Sequence, residues 1–375
     1  MRAGCSNRSF RTSNFGFLSD LGFRVSDFGM KQTFFALAVL AGVLLHLAPA
    51  AARGGDVNYQ LLKTIPVGGG GFWDYLAVDS VARRLYVSHG TKAEVIDLDK
   101  EVVVGEITNT PGIHGIAVAR KLGRAFTSNG RENKVSIVDL KTLETLSKVD
   151  TGENPDCILF EPQREEVYTF NGRSKNATVI DAVTRKVVAT IPLGGKPEFA
   201  QTDGGRIFVN IEDKNEVVVI DNSKHEVVAH WPIAPGEGAS GMAIDRKNHR
   251  LFLGADKLMV MLDYSSGKVL GSVPIGDGVD ANSFDSDTQL AFASCRDGTV
   301  TIAHEDAPDK LTVVQTLKTA RGSRTMTLDP TTHKIYLAAV DYEKGSEGQR
   351  RPAAVAGSFR ILVFGPATAQ ASSQK

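Results

Sequence analysis

Seven polar positions recur at nearly regular intervals along the chain and carry the side chains most capable of chemistry. They lie 40 to 44 residues apart and include four carboxylates, an imidazole and a guanidinium: Asp74, His114, Asp156, Glu198, Ser240, Asp280 and Arg324. Three neighbours add aromatic or amide groups: Trp73, Asn154 and Asn282. This regular spacing predicts a repeat fold that brings the seven positions to one level, as one candidate ligand-binding site.

Three interpretations of such a ring are open. The carboxylates of Asp74, Asp156, Glu198 and Asp280 could bind a hard divalent cation such as calcium, which prefers oxygen ligands. Crowded carboxylates also raise one another's pKa, so His114 or a protonated acid could serve as a general acid or base. In the third interpretation, the polar side chains only solvate a water-filled channel and satisfy the backbone where strands begin.

The interval of about forty residues comes from a repeat that covers most of the chain. One copy is KVSIVDLKTLETLSKVDTG, residues 134–152. An aspartate recurs in five copies at spacings of 42, 42, 40 and 42 residues: Asp97, Asp139, Asp181, Asp221 and Asp263. Apolar and polar residues alternate and are interrupted by Gly, Asn, Asp and Pro, which is typical of short strands rather than helices.

Each repeat unit is predicted to form four short antiparallel strands. An inner strand such as GIAVA (115–119) is followed by a second such as RAFTSN (124–129), in seven sets. The segment YQLLKTIPVG (59–68) matches a fourth strand, and FRILVFG (359–365) matches a third, so the two ends complete one unit. Four-stranded units repeated radially protect their sheet edges by closing a ring.

The predicted fold is therefore all-β: a seven-bladed β-propeller of four-stranded antiparallel blades over residues 57–366. The ring is expected to close where strand 59–68 pairs with strand 359–365. The seven polar positions each lie five residues before the end of an inner strand, which predicts that they surround one mouth of the central channel.

The second strands carry variants of the tetrapeptide Tyr-Val-Thr-Asn: YVSH (86–89), FTSN (126–129) and YTFN (168–171). On these motifs the chain resembles the YVTN-repeat, YncE-like β-propellers over about residues 57–366. The later blades depart from the motif where the family prefers Asn: Ile211, Ala255, Cys295 and Ala339. The resemblance implies a propeller and, only loosely, a binding or scaffold protein, because propellers host many functions.

The N-terminal segment MKQTFFALAVLAGVLLHLAPAAA (30–52) combines Lys31, an apolar run, and small residues at Ala50 and Ala52. This is the pattern of a cleaved secretory signal, and its apolar run is short for a membrane anchor. We therefore expect a periplasmic or secreted protein, with residues 1–29 as an upstream extension before a start at Met30. Residues 367–375 are expected to form a disordered tail.

Charge balance bears on the partners. Residues 1–52 contain five basic and two acidic residues, so the remainder keeps 38 basic and 41 acidic residues. Some YncE-like proteins are associated with DNA, but this balance lacks the basic footprint of a nucleic-acid partner. A monomer that binds an unknown protein or small molecule is expected. The long charged segment 341–358 is predicted to be a mobile surface loop, with a partner-binding loop as the alternative.

Function is predicted as an exported binding or scaffold protein with an acidic channel mouth. No cofactor is required by this interpretation, although a divalent cation such as calcium is a candidate. The alternative is a metal-assisted, hydrolase- or lyase-like enzyme at the same mouth.

Overall fold

A computed structural model describes residues 57–70, 72–343 and 353–367. In these residues, 28 strands form seven antiparallel sheets of four strands each, which confirms the predicted seven-bladed β-propeller. The predictions for residues 1–29, for the signal 30–52 and for nearly all of the tail 367–375 lie outside the described residues. The same holds for residues 344–352, in the middle of the segment 341–358.

The strands are numbered in chain order. Strand β1 (Tyr59–Pro66) opens the described chain and belongs to blade 7. Blade 1 contains β2 (Leu76–Asp79), β3 (Arg84–His89), β4 (Lys92–Asp97) and β5 (Val102–Ile107). Blade 2 contains β6 (Ile113–Ala119), β7 (Arg124–Asn129), β8 (Lys134–Asp139) and β9 (Thr145–Asp150). Blade 3 contains β10 (Pro155–Glu161), β11 (Glu166–Asn171), β12 (Asn176–Asp181) and β13 (Lys186–Pro192).

Blade 4 contains β14 (Pro197–Asp203), β15 (Arg206–Ile211), β16 (Glu216–Asp221) and β17 (Glu226–Pro232). Blade 5 contains β18 (Ala239–Asp245), β19 (Arg250–Ala255), β20 (Leu258–Asp263) and β21 (Lys268–Pro274). Blade 6 contains β22 (Val279–Asp285), β23 (Leu290–Cys295), β24 (Thr299–Ala307) and β25 (Lys310–Lys318). Blade 7 contains β26 (Met326–Asp329), β27 (Lys334–Ala339), β28 (Arg360–Pro366) and β1. Two 3-10 turns, Arg120–Leu122 and Glu212–Lys214, connect strands within blades 2 and 4.

The first strand of each blade is the innermost one. Each inner strand packs against the inner strand of the next blade, and β26 packs against β2, which closes the circle. Apolar side chains fill the spaces between neighbouring sheets, and Cys157 and Cys295 are buried there as free thiols. Within the described residues, no helix is long and apolar enough to cross a membrane.

Ring closure follows the predicted pairing of the two chain ends. Strand β1 pairs antiparallel with β28, from Tyr59 opposite Pro366 to Pro66 opposite Arg360. The backbone of Tyr59 also joins blade 6, because its N–H donates to Gln315 Oε1 (2.8 Å) and its carbonyl accepts from Gln315 Nε2 (2.9 Å). One residue thus links the first strand to two blades.

The recurring aspartate is architectural. At the end of the third strand in blades 1 to 5, its Oδ1 accepts the backbone N–H of the residue two positions later: Asp97, Asp139, Asp181, Asp221 and Asp263. This side-chain turn satisfies backbone donors where the chain reverses between strands. The regular spacing of these aspartates therefore reports the blade repeat and no ligand site.

Carboxylates at the ends of inner strands link neighbouring blades at the end of the ring opposite the mouth. Three of them accept a hydrogen bond of 2.7 Å from the adjoining blade: Asp329 from Arg83, Asp285 from His333 and Asp203 from Tyr264. A donor that reaches a buried carboxylate offsets the cost of removing its charge from water.

The interface between blades 5 and 6 departs from this pattern. Asp245 there faces a second acid, Glu305, and both residues are buried. Asp245 Oδ2 and Glu305 Oε2 have no hydrogen-bond partner among the described residues. Burial, together with the charge of Asp245, raises the pKa of Glu305 to about 7. The folded protein therefore keeps a proton on this pair that the unfolded chain loses at lower pH.

The variant Glu305→Gln should unfold at higher urea concentration than the wild type at about pH 8, with little difference near pH 5. Because the folded-state pKa of Glu305 is raised, wild-type stability falls as pH rises from about 4.5 to about 7, and glutamine removes this dependence. Glu237→Gln, on an exposed side chain, is the matched control. A Glu305→Gln variant that is less stable than wild type at about pH 8 would contradict the assignment.

Candidate functional site

Five of the seven predicted mouth residues lie at breaks in the pairing register of the inner strands. They are His114, Asp156, Glu198, Ser240 and Asp280. Asp74 and Arg324 come just before β2 and β26, which are only four residues long. Because a β-bulge bends its strand and re-aims side chains, the mouth residues leave the regular in–out alternation of the blades.

Asp74, His114 and Asp156 form the tightest group at the mouth. His114 Nδ1 lies 2.7 Å from Asp74 Oδ2 and 3.6 Å from Asp156 Oδ1. One ligand atom from each residue lies within 4.8 Å of the other two. Their side chains are only 14 to 16% exposed. Blades 1, 2 and 3 thus bring two carboxylates to one imidazole in a partly dehydrated position.

The other predicted residues form two ion-paired groups. Lys196 Nζ lies 2.5 Å from Glu198 Oε1 and 2.5 Å from Glu212 Oε2. Arg324 Nε lies 3.3 Å from Asp280 Oδ2, while Ser240 Oγ donates to Asp280 Oδ1 at 3.4 Å. The carboxylates of blades 4 and 6 therefore each contact a lysine or an arginine, whereas in the described residues Asp74 and Asp156 form an ion-pair contact only with His114.

Hydrogen bonds hold the backbone of the first group. The N–H of Asp74 donates to Ser88 Oγ at 2.8 Å, and the N–H of Tyr75 donates to the carbonyl of His114 at 3.2 Å. The first bond lies within blade 1, and the second connects the start of blade 1 to the start of blade 2. The separation between Asp74 and His114 is consequently set by backbone contacts as well as by their side chains.

Ser128 makes the equivalent connection from blade 2 to blade 3. Its Oγ accepts the N–H of Gly115 at 2.9 Å and donates to the carbonyl of Asp156. The fifth residue of the second strand, equivalent to Ser128, makes the same kind of contact in two other blades. Asn210 donates to the carbonyl of Ser240, and Ser294 donates to the carbonyl of Arg324. A polar residue late in the second strand thus positions the mouth residue of the following blade.

Aromatic side chains lie beside the polar group. Tyr75, one residue after Asp74, reaches from blade 1 to the apolar cluster of blades 3 and 4. Its ring centroid lies 5.4 Å from that of Phe199, one residue after Glu198. The exposed Phe72 ring meets the His114 ring edge-on, with centroids 5.5 Å apart. Tyr75 and Phe199 therefore form an aromatic pair, each one residue after a mouth acid in the chain.

Burial shifts the titration of these acids toward neutrality. It raises the pKa of Asp156 to about 6, although the His114 charge opposes the shift. Burial likewise raises the pKa of Asp280 to about 6 against the Arg324 charge, and that of Glu198 to about 7, where the Asp156 charge adds to it. The pKa of Asp74 is also raised, chiefly by burial.

The pKa of His114 is raised, although burial alone would lower the pKa of a histidine. Burial lowers its pKa, but the hydrogen bond with Asp74 and the charge of Asp156 outweigh burial, so the net pKa is raised. The group therefore attracts positive charge, whether as a proton on the imidazole or as a bound cation.

The three neighbours named from the sequence lie in different surroundings. Asn154 Oδ1 and His114 Nε2 both lie against Gly130, where a Cβ would come within 3.0 Å of each. Asn282 is 4% exposed and packs against Gly241 and Gly254 of blade 5. Trp73 packs on Phe359, with ring centroids 5.6 Å apart, at the junction of blades 7 and 1.

Sequence reasoning missed Phe72, Tyr75, Phe199 and Ser128. Tyr75 and Phe199 each follow a repeat-aligned acid, and Phe72 lies two residues before Asp74, so an aromatic residue near such an acid was an available signal. Ser128 lies within the tetrapeptide FTSN and was treated only as part of a repeat motif. Metal-assisted hydrolysis or elimination at the mouth stays a prediction.

Comparison with known proteins supports the fold. No protein-family model and no curated protein matches the chain. Among solved structures, it is similar to hydrazine synthase of Kuenenia stuttgartiensis, with a TM-score of 0.64 and 17% identity over 74% of this chain and 94% of that chain. It is also similar to U3-55K, with a TM-score of 0.67 and 9% identity over 83% of this chain and 98% of that chain. At these identities the likeness shows the fold alone.

Ser128→Ala should lower the free energy of unfolding by about 2 kcal/mol, and Ser88→Ala by about 1 kcal/mol. The first variant leaves two backbone groups without their partner, whereas the second leaves one. Urea unfolding of both variants measures the difference. Equal losses would mean that the Ser128 bond between blades 2 and 3 contributes nothing to stability.

Proposed function

We propose that the protein is an exported binding protein whose channel mouth binds the positively charged group of a small ligand. The observation that carries the proposal is the approach of Asp74 and Asp156 to the same nitrogen, Nδ1, of His114. The propeller supplies a rigid frame for a site of this kind, and the residues that differ between blades supply its specificity.

Local charge favours a cation over an anion. Lys196 and Arg324 form their contact ion pairs with Glu198 and Asp280, and act on Asp156 and Asp74 only from farther away. Two partly buried carboxylates then share one imidazole, and the pKa of His114 is raised by their hydrogen bond and charge against the effect of burial. A ligand that brings positive charge offsets the repulsion between these acids.

The aromatic residues favour a compact ligand. The rings of Tyr75 and Phe199 pack against each other, and the exposed Phe72 ring contacts His114. Aromatic faces attract cations and can cover the apolar part of an amine. Packed rings such as Tyr75 and Phe199 also limit how deeply a ligand enters. Binding through one mouth is the expected mode.

Export is part of the proposal and is supported by residues 30–52, with their basic start, apolar run and small residues near Ala50. N-terminal sequencing of the protein from fractionated native cells tests it. A mature start close to residue 53 in an extracytoplasmic fraction is expected, and an uncleaved N-terminus in the cytoplasm would contradict export.

The binding proposal is tested by thermal unfolding of the untagged, chelator-treated protein with putrescine, tetramethylammonium, or the chlorides of calcium, manganese and zinc. At least one cation should raise the unfolding free energy, by about 2.7 kcal/mol when the free ligand is about 100 times its Kd. Asp156→Asn should abolish the shift, because it removes one of the two carboxylates beside the imidazole.

Glu153→Gln is the matched control, since it removes an exposed carboxylate three residues from Asp156. This control should respond to the ligand as the wild type does. Absence of a shift with every cation, or equal loss in Asp156→Asn and Glu153→Gln, would overturn the proposed function.

A further inference from the structure

We infer that Asp74, His114 and Asp156 form a three-residue site for a divalent metal ion of the zinc class, with an open coordination position toward the mouth. This inference rests on the proposed function and names its ligand chemistry. It differs from the expectation of calcium bound by four carboxylates, because it includes the imidazole and leaves Glu198 and Asp280 to their basic partners.

Distances between the ligand atoms carry the inference. Two ligands held about 2.1 Å from a tetrahedral ion must lie about 3.4 Å apart. His114 Nδ1 lies 2.7 Å from Asp74 Oδ2 and 3.6 Å from Asp156 Oδ1, which brackets that value. The third pair, between Asp74 and Asp156, lies within 4.8 Å. An ion can therefore replace the proton between His114 and Asp74 if the first pair opens and the carboxylates close around it.

The balance of charge fits a divalent ion. A neutral imidazole and two ionised carboxylates carry two negative charges, which an ion such as zinc cancels. The nearest ammonium and guanidinium groups, on Lys196 and Arg324, are engaged by other carboxylates. Burial strengthens the repulsion between the carboxylates of Asp74 and Asp156, and a dication bound between them offsets it.

The surrounding shell holds the three ligands in place before any ion arrives. Hydrogen bonds fix the backbone of Asp74 to Ser88, that of Gly115 to Ser128, and that of Asp156 to the same serine. Such preorganisation reduces the cost of assembling the site on binding.

The other histidines of the described chain provide an internal comparison. Several of them also contact a carboxylate, but each contacts only one such residue: His89 with Glu94, His225 with Glu166, His230 with Glu216, His304 with Asp306, and His333 with Asp285. Within the described residues, Asp74, His114 and Asp156 are the only three-member group of suitable geometry. A single His–carboxylate pair serves as an ordinary blade contact, whereas this group has a third ligand.

The ligand types indicate the class of ion. Imidazole nitrogen favours zinc and its neighbours in the first transition series, whereas calcium and magnesium prefer oxygen alone. Three protein ligands also leave a position for water or a substrate group, as in open zinc sites. Zinc or cobalt should therefore bind more tightly than calcium, and the open position would accept a donor atom of a second ligand at the mouth.

The experiment titrates the untagged, chelator-treated protein with cobalt(II) and zinc, by calorimetry and by the visible absorption of cobalt(II). We expect one tight equivalent of zinc, a tetrahedral cobalt spectrum that zinc abolishes, and no competition from an equal concentration of calcium. His114→Gln and Asp156→Asn should each weaken zinc binding about 100-fold or more, because losing an inner ligand costs at least as much as losing an outer-shell partner.

His230→Gln is the matched control, because it removes an exposed imidazole that contacts one carboxylate. It should leave zinc affinity unchanged, whereas equal weakening by His230→Gln and His114→Gln would overturn the site. Competition by calcium as strong as that by zinc would overturn the class of ion. If a mouth variant does not fold, the wild-type cobalt spectrum decides, and an octahedral, all-oxygen spectrum contradicts the inference.

The outcomes separate this inference from the function on which it rests. Binding of putrescine or tetramethylammonium that depends on Asp156, without tight zinc or cobalt binding, would leave the binding protein and remove the metal site. Failure of every cation to bind would remove both.

Discussion

Closure of the ring is the constraint on which the rest of the structure depends. Seven inner strands must lie around one axis, and strand β1 completes the last blade by pairing with β28. Side chains at the start of these strands are separated by about forty residues in sequence, yet the circle brings them together. Without the pairing at Tyr59 and its contacts with Gln315, blade 7 would lack its outer strand and that strand's link to blade 6.

Repetition and variation have different roles in this chain. The turn aspartates, such as Asp139, recur because each blade needs the same backbone donors satisfied. The mouth positions vary because each faces a different neighbour across the channel. Blades 4 and 6 supply acids together with basic partners, whereas blades 1 to 3 supply two acids and one imidazole. The part of the ring without a contacting lysine or arginine among the described residues is therefore where we propose that a cation binds.

The sequence was sufficient for the fold because strand alternation and turn residues recur in every blade. It predicted the blade number, the ends of the inner strands at residues such as Asp79 and Asp245, and the closing pair of strands. The same periodicity placed Asp74, His114 and Asp156 at one level, since position within a repeat determines height along the axis.

The grouping within the mouth could not be predicted from that register. Bulges at His114 and Asp156 re-aim side chains by an amount that no spacing reveals. Tyr75 crosses from blade 1 to pack beside Phe199, a contact between residues that are far apart in sequence. Lys196 precedes Glu198 by two residues, but only the three-dimensional contact shows that it neutralises this acid and leaves the Asp74 group without a lysine.

Anomalous diffraction from crystals grown with zinc, recorded on both sides of the zinc absorption edge, tests the central claim most directly. The account predicts one strong peak at the mouth, about 2.0 to 2.2 Å from an oxygen of Asp74, from His114 Nδ1 and from an oxygen of Asp156. Zinc at the outer His–carboxylate pairs alone, with the direct bond between His114 and Asp74 intact, would contradict it.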